Sequence, residues 1–258
     1  MRTISLLLLA ITMWSSSCDT APKEDDDMTG NLEITFKVRY DNAPLVLFEE
    51  IASGQSDPTS ILFKKLEFFI SNIKGGNAEG LTEFKDVGYI SMANSLTTAA
   101  AEAGTTFTIN KLPIGAYTSL DMGIGISDAV NGTVPGDYES GSPLGLNGNY
   151  WASWNSYILS KIEGDITQSN GTKSGFLYHS GVNGMQQLLS FSKDFEIEVG
   201  QTTTLTIYVE AKDFFFKTGS EIDMITESAT HSGAVGSTDY NLAKRAIENL
   251  ANAMSMES

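Results

Sequence analysis

The stretch LEITFKVRY, residues 32–40, alternates strictly between apolar and polar side chains. Every second position is apolar, at Leu32, Ile34, Phe36, Val38 and Tyr40. Successive side chains of a β-strand point to opposite faces of the sheet. The alternation therefore predicts a strand with one face packed in a core and the other in water.

Similar strand-like segments recur along the rest of the chain. They occupy residues 61–71, 87–92, 105–109, 117–126, 191–199 and 203–211. The last two are separated by Gly200-Gln201, and this spacing predicts a β-hairpin. The glycine-rich residues 74–80 predict a turn. Residues 95–104 are rich in alanine and fit either a helical turn or a loop.

Near the carboxyl terminus the apolar period changes to that of a helix. The residues at helical spacing are Leu242, Ala246, Ile247, Leu250 and Met254. Asp239 is the expected cap of this helix. Many short strands, one late helix and no alternation of strands with helices predict an all-β fold. The expected architecture is an immunoglobulin-like or related β-sandwich with one C-terminal helix.

Residues 1–17 have the layout of a secretory signal peptide of the lipoprotein type. Arg2 precedes an apolar run that is too short for a permanent membrane span. The only cysteine, Cys18, follows three serines and resembles the lipid-modified cysteine of bacterial lipoproteins, although Ser15 stands where leucine is preferred. We therefore predict lipidation at Cys18 and attachment to a membrane through the lipid anchor. A free thiol is the alternative.

Residues 18–30 are polar and acidic, and they predict a flexible tether in front of a single domain at residues 31–258. The run of one lysine and four acidic residues at 23–27 resembles the export signal of some Gram-negative surface lipoproteins. The expected location is the outer membrane, facing either the periplasm or the cell surface.

The charge balance of the chain is strongly acidic. It has 16 Lys and Arg residues against 32 Asp and Glu residues, which gives a formal net charge of −16. Nucleic acids and anionic membrane surfaces are bound by clustered basic residues. The composition therefore excludes nucleic acid as the expected partner.

The sequence offers no catalytic motif. It lacks a glycine-rich phosphate loop, a nucleophile elbow, a CxxC pair and an HExxH motif. We therefore expect a binding protein and not an enzyme. Four residues of the long loop 127–148 carry side-chain oxygens of the kind that calcium binds. These are Asp128, Asn131, Asp137 and Glu139. Their spacing is irregular, and a solvated loop is the alternative.

Residues 149–184 contain two of the three tryptophans of the chain. Trp151, Trp154 and Tyr157 stand there with an expected acidic turn at Glu163-Gly164 and with His179. A small binding or metal site on a β scaffold needs such residues. Large aromatic side chains also commonly serve only to fill a core.

The chain has only two histidines, His179 and His231, and both are expected at strand ends or in loops. Neutral imidazole binds copper and zinc well, and Cu(I) accepts two or three nitrogen or sulfur ligands. Met185 and Met224 are candidate sulfur ligands. Ordinary surface or capping roles are the alternative for both histidines.

A series of short motifs, in a fixed order, resembles the MbnP family of copper-associated periplasmic and surface proteins. The motifs are KLEFFISNI (65–73), LPIGAY (112–117), GIGI (123–126), YWASW (150–154), Tyr157 with KIEG (161–164), HSG (179–181), THS (230–232) and AKRAIENL (243–250). The resemblance spans the whole expected domain. It implies an all-β domain that binds copper through histidine.

The same resemblance implies a role for each residue of the site. His179 and His231 are the implied copper ligands. Either Trp151 or Trp154 is implied to be oxidised to kynurenine by a partner di-haem cytochrome c peroxidase. We expect the two histidines to meet near one of these tryptophans. The rival hypothesis is a metal-free surface module that binds a glycan or a protein through its exposed aromatic residues.

Overall fold

The structure is a computed structural model and describes residues 28–257. The predicted signal peptide and the predicted lipidation site Cys18 lie outside the described residues. The strands are β1 (Thr29–Tyr40), β2 (Ala43–Pro44), β3 (Glu50–Ala52), β4 (Ser60–Asn77), β5 (Gly80–Ser91), β6 (Thr105–Pro113), β7 (Gly115–Ile124), β8 (Tyr150–Trp151), β9 (Ser156–Thr167), β10 (Lys173–Gly181), β11 (Gln187–Ile197), β12 (Thr202–Glu210), β13 (Ala229–Thr230) and β14 (Met254–Met256). The helices are α1 (Thr98–Ala103), α2 (Asp128–Asn131), α3 (Asp213–Phe216) and α4 (Thr238–Asn252). None of the helices within residues 28–257 combines the length and hydrophobicity of a membrane span.

The strands form two sheets. The smaller sheet has the order β14-β12-β1-β2, with β6 also bonded to β1. The larger sheet has the order β11-β7-β4-β9-β10-β13, with β3 and β5 on β4 and β8 on β9. The long strand β4 therefore forms the centre of the larger sheet, and β1 forms the centre of the smaller one.

The core lies between the two sheets. The apolar members of the alternating stretch in β1 point into it, and Leu32, Ile34 and Phe36 are fully buried. Phe36 meets Phe68 of β4 edge to face, with ring centres 5.7 Å apart, which joins the two sheets through an aromatic pair. The all-β sandwich with a C-terminal helix predicted from the sequence is thereby confirmed.

Helix α4 covers the larger sheet near the end of β10. Its N-cap is Ser237, whose side chain accepts a hydrogen bond from the Tyr240 amide, and not the predicted Asp239. The predicted apolar positions from Leu242 to Leu250 are buried. The buried Ser180 hydroxyl donates to the Ala243 carbonyl at 2.7 Å, so the helix is fixed to the strand that carries His179.

The predicted hairpin between β11 and β12 is wrong. Strand β11 pairs with β7 in the larger sheet, while β12 pairs with β1 in parallel and with β14 in the smaller sheet. The turn at Gly200 does exist, with a positive φ of 67°, but the chain crosses there from one sheet to the other. Alternation identifies two strands and does not identify their partners.

Two smaller boundaries also differ from the prediction. Strand β4 continues to Asn77, so the predicted turn at 74–80 is shorter and lies between β4 and β5. Strand β1 begins at Thr29, two residues before the predicted domain boundary. The segment at 95–104, for which a helix and a loop were both considered, contains helix α1.

Candidate metal site

The two histidines are brought together by parallel strand pairing. Strand β13 runs parallel to β10, and Thr230 is opposite Tyr178. The residue after each member of this pair is a histidine, His179 within β10 and His231 directly after β13, so the pairing brings the two side chains close together. The Ser232 hydroxyl donates to the His179 carbonyl at 2.8 Å and fixes the loop that carries His231. The centres of the two imidazole rings are 5.4 Å apart.

The tryptophans reach the histidines from a tight turn at the start of β9. Strand β8 pairs Trp151 with Ser156, and the Trp154 amide donates to the Trp151 carbonyl at 3.0 Å across the turn. The Trp151 ring centre lies 4.8 Å from that of His231 and 6.4 Å from that of His179. The Trp154 ring packs on Trp151 at 5.8 Å. Trp151 is therefore the tryptophan in contact with both imidazoles.

The polar network below this turn holds it in place. The Lys161 ammonium donates to the Asn149 side-chain oxygen at 2.7 Å and to the Gly148 carbonyl at 3.0 Å. Lys161 and Asn149 are both buried. The Glu67 carboxylate lies 3.5 Å from the same ammonium. A buried charge thus anchors the chain immediately before Trp151.

The four aromatic side chains surround a very small cleft. It is lined by Trp151, Trp154, His179 and His231, and its volume is about 10 Å³. This is close to the space needed by one water molecule. The enclosed space therefore has about the size of a single ion.

The ring spacing is compatible with two imidazoles on one ion. A metal–nitrogen bond of about 2.0–2.1 Å places the centre of each ligating ring about 3 Å from the metal, so two rings can be about 5–6 Å apart. The observed separation of 5.4 Å lies in this range. The donor set of two neutral imidazoles suits copper or zinc.

Glu163 of the neighbouring strand β9 contacts His179. Its Oε1 lies 2.9 Å from His179 Nε2 and 3.0 Å from the Lys65 ammonium. Glu163 lies in the middle of β9, so the predicted acidic turn at Glu163-Gly164 is wrong. The alternation of Lys161, Ile162 and Glu163 was a strand signal, but pairing across strands could not be predicted from it.

The electrostatics leave His179 neutral and Glu163 charged near pH 7. Burial lowers the pKa of His179 below its ordinary value of 6.5, and the hydrogen bond and charge of Glu163 offset this only in part. Burial acts to raise the pKa of Glu163, but the bonds to His179 and Lys65 outweigh it and lower that pKa below 4.5. A neutral imidazole keeps a lone pair for a metal ion.

The candidate sulfur ligands do not take part in this cleft. Met185 and Met224 are both buried in the hydrophobic core, and neither lines the cleft. Tyr157 is also a core residue, fully buried, and its hydroxyl donates to the Leu144 carbonyl at 2.9 Å. Within residues 28–257 no three His, Cys, Asp or Glu side chains gather as a metal-ligand group.

The structure does not support the predicted calcium site in the long loop. Asn131 Oδ1 accepts the amide of Tyr157 at 2.9 Å, and Asp128 Oδ1 accepts the amide of Gly184 at 2.8 Å. Asp137 accepts the amide of Val134. These oxygens hold the loop in shape. The acidic members of the predicted set, Asp128, Asp137 and Glu139, do not gather as a metal-ligand group.

Comparison with known proteins agrees with the fold. A model of the MbnP family matches residues 29–235. The structure is similar to that of MbnP from Methylosinus trichosporium, with a TM-score of 0.53 and 15% sequence identity over 88% of this chain and 98% of that chain. At this identity the similarity shows a common fold. No curated protein sequence matches the chain significantly.

Proposed function

The chain belongs to the MbnP family, and we propose that it is an exported copper-binding protein in which His179 and His231 hold the ion. The observation that supports the proposal is the meeting of the only two histidines of the chain in a cleft with room for one ion. Bound copper would take two imidazole nitrogens there. The rival function is a metal-free module that binds a glycan or a protein through these aromatic residues, and it becomes the better account if the two histidines do not bind copper.

The test is a copper competition measurement on purified protein. His179→Gln and His231→Gln keep approximately the side-chain volume and remove an imidazole, so each should lose Cu(I) to a chelator that the unsubstituted protein resists. Asp165→Asn is the matched control, because Asp165 pairs with Lys64 at a half-exposed position of β9. Unchanged copper retention in the double histidine variant would exclude this site.

We further propose Trp151 as the residue converted to kynurenine. Its ring centre lies 4.8 Å from that of His231 and 6.4 Å from that of His179, whereas Trp154 lines the same cleft and packs on the Trp151 ring. The indole N–H only donates a hydrogen bond, while kynurenine carries an amine and a carbonyl that offer lone pairs. The conversion would thus add a third metal ligand to the two imidazole nitrogens. The partner that carries it out would be a di-haem cytochrome c peroxidase.

Intact-mass and peptide analysis test this assignment. Conversion of tryptophan to kynurenine replaces one carbon by one oxygen in net composition. Protein produced together with the peroxidase should carry the change at Trp151 in both the unsubstituted chain and Trp154→Phe, and should lack it in Trp151→Phe. Modification at Trp154 alone would assign the role to the other ring.

The protein is proposed to act by binding and not by catalysis, at the outer membrane. The proposed location is supported by the amino-terminal sequence, in which Cys18 follows an apolar run typical of an export signal. In this proposal the acidic tether separates the lipid anchor from the copper-binding domain. The domain would then face the periplasm or the cell surface.

A further inference from the structure

The contact between Glu163 and His179 crosses two neighbouring strands. Glu163 of β9 is opposite Leu177 of β10, and Lys161 is opposite His179. Glu163 and His179 are therefore diagonal neighbours on one face of the sheet, a position from which long side chains meet. The Glu163 side chain is 23% exposed and that of His179 is 15% exposed, so water competes little for this bond.

The chemistry of the two groups fixes where the proton lies. An ionised carboxylate only accepts hydrogen bonds, and a neutral imidazole has one N–H and one lone pair. The bond at 2.9 Å joins Glu163 Oε1 to His179 Nε2, so Nε2 carries the hydrogen. Nδ1 is then the nitrogen with the lone pair.

Lys65 supports this arrangement from the other side. Its ammonium lies 3.0 Å from the same Oε1 atom of Glu163. The carboxylate oxygen is thereby held between a lysine on β4 and the imidazole on β10. A ligating histidine that donates its other N–H to a carboxylate keeps both its tautomer and its ring orientation.

We propose that Glu163 is a positioning residue that holds His179 in the Nε2–H tautomer and makes Nδ1 the atom of this ring that binds the metal. The part of the proposal that concerns metal binding by Nδ1 rests on the proposed copper function. The part that concerns the tautomer of His179 does not depend on copper. Lys65 acts through Glu163 and contributes less, because its side chain is 39% exposed.

The experiment uses the small number of histidines in the chain. With only two imidazoles, a long-range ¹H–¹⁵N spectrum of the metal-free domain shows four ring nitrogens, and His231→Gln identifies those of His179. At neutral pH we expect a protonated Nε2 and an unprotonated Nδ1 for His179. Glu163→Ala should lose this single tautomer, Glu163→Gln should largely retain it because its amide oxygen still accepts, and Asp165→Ala should not change it.

Anaerobic addition of Cu(I) to the same samples tests whether Nδ1 of His179 binds the metal. In the unsubstituted protein the Nδ1 resonance of His179 should shift while Nε2 keeps its hydrogen. Glu163→Ala should bind Cu(I) about 10-fold to 100-fold more weakly, the usual effect of losing such a carboxylate, and Asp165→Ala should bind normally.

Two results would overturn the proposal, and a third separates it from the copper function. A Cu(I)-induced shift at Nε2 would mean that the metal displaces Glu163. An unaltered tautomer in Glu163→Ala would remove the positioning role. If Cu(I) shifts none of the four ring-nitrogen resonances, both the copper function and the binding of metal by Nδ1 are excluded. The spectra of the metal-free samples still decide whether Glu163 sets the tautomer.

Discussion

Replacement of the buried Lys161 by methionine is predicted to destabilise the domain strongly. The ammonium satisfies the Asn149 side chain and the Gly148 carbonyl at 2.7 and 3.0 Å, and it lies 3.5 Å from the Glu67 carboxylate. Methionine keeps the apolar stem and removes all three interactions. The change therefore isolates the polar role of the side chain from its packing.

The magnitude follows from the groups left behind. A buried polar group without its partner costs about 1–3 kcal/mol, and removing one member of a buried ion pair costs about 3–5 kcal/mol. Burial lowers the pKa of Lys161 below 10.5, with Glu67 opposing the shift, so part of this cost is offset when the ammonium no longer has to be desolvated. We expect a loss of about 3 kcal/mol in the free energy of unfolding.

Urea unfolding followed by far-ultraviolet circular dichroism measures this loss. Lys64→Met in the neighbouring strand β4 is the control, because the side chains of Lys64 and its partner Asp165 are 43% and 37% exposed. Exposed pairs of this kind contribute less than about 1 kcal/mol. Tryptophan fluorescence should also change in the Lys161 variant alone, since Lys161 anchors the chain before Trp151. Equal losses in the two variants would refute the reasoning.

Three further predictions concern the core, the site and the anchor. Ile207→Asp places a carboxylate at a fully buried position and should cost several kcal/mol, on the order of an unpaired buried charge, while Ile207→Val should cost about 1 kcal/mol; similar denaturation midpoints would contradict this. The folded protein lowers the pKa of Glu163 below its ordinary value of 4.5. The ionised Glu163 carboxylate therefore contributes its full stabilisation above pH 4.5, and this contribution is lost as the pH falls through the folded-state pKa. The stability difference between unsubstituted protein and Glu163→Gln should thus shrink on acidification, and a constant difference would argue against it. Mature protein should begin at Cys18 and sediment with membranes, whereas Cys18→Ser should be released; soluble unsubstituted protein with an intact amino terminus would exclude the anchor.

Local sequence patterns predicted part of the fold, because such a pattern depends only on the residues of its own element. Strands β9 and β10, which carry the candidate site, were not predicted. The alternation in β1 and the helical spacing in α4 both reflect which side chains are buried. The partners of the strands were not predictable in this way. The parallel pairing of β1 with β12 joins Ile34 to Leu205, a contact between distant parts of the chain that leaves no local signal.

The candidate site shows the same division. The family resemblance implied His179, His231 and either Trp151 or Trp154, and the structure brings the two imidazoles and the Trp151 ring together. Glu163 was misassigned to a turn, because only the register of β9 against β10 reveals that it reaches His179. The proposal of Trp151 over Trp154 likewise rests on the ring distances, which sequence spacing does not give.

The position of β1 has a mechanical consequence. This strand directly follows the amino-terminal region and is bonded to β12 on one side and to β6 on the other. A force applied at residue 28 along the strand would strain both ladders in shear, so that many hydrogen bonds would have to break together. A force on β14, which pairs with β12 at three positions at the edge of the sheet, would meet much less resistance. Tension transmitted through an amino-terminal anchor would thus enter the domain at its more resistant end.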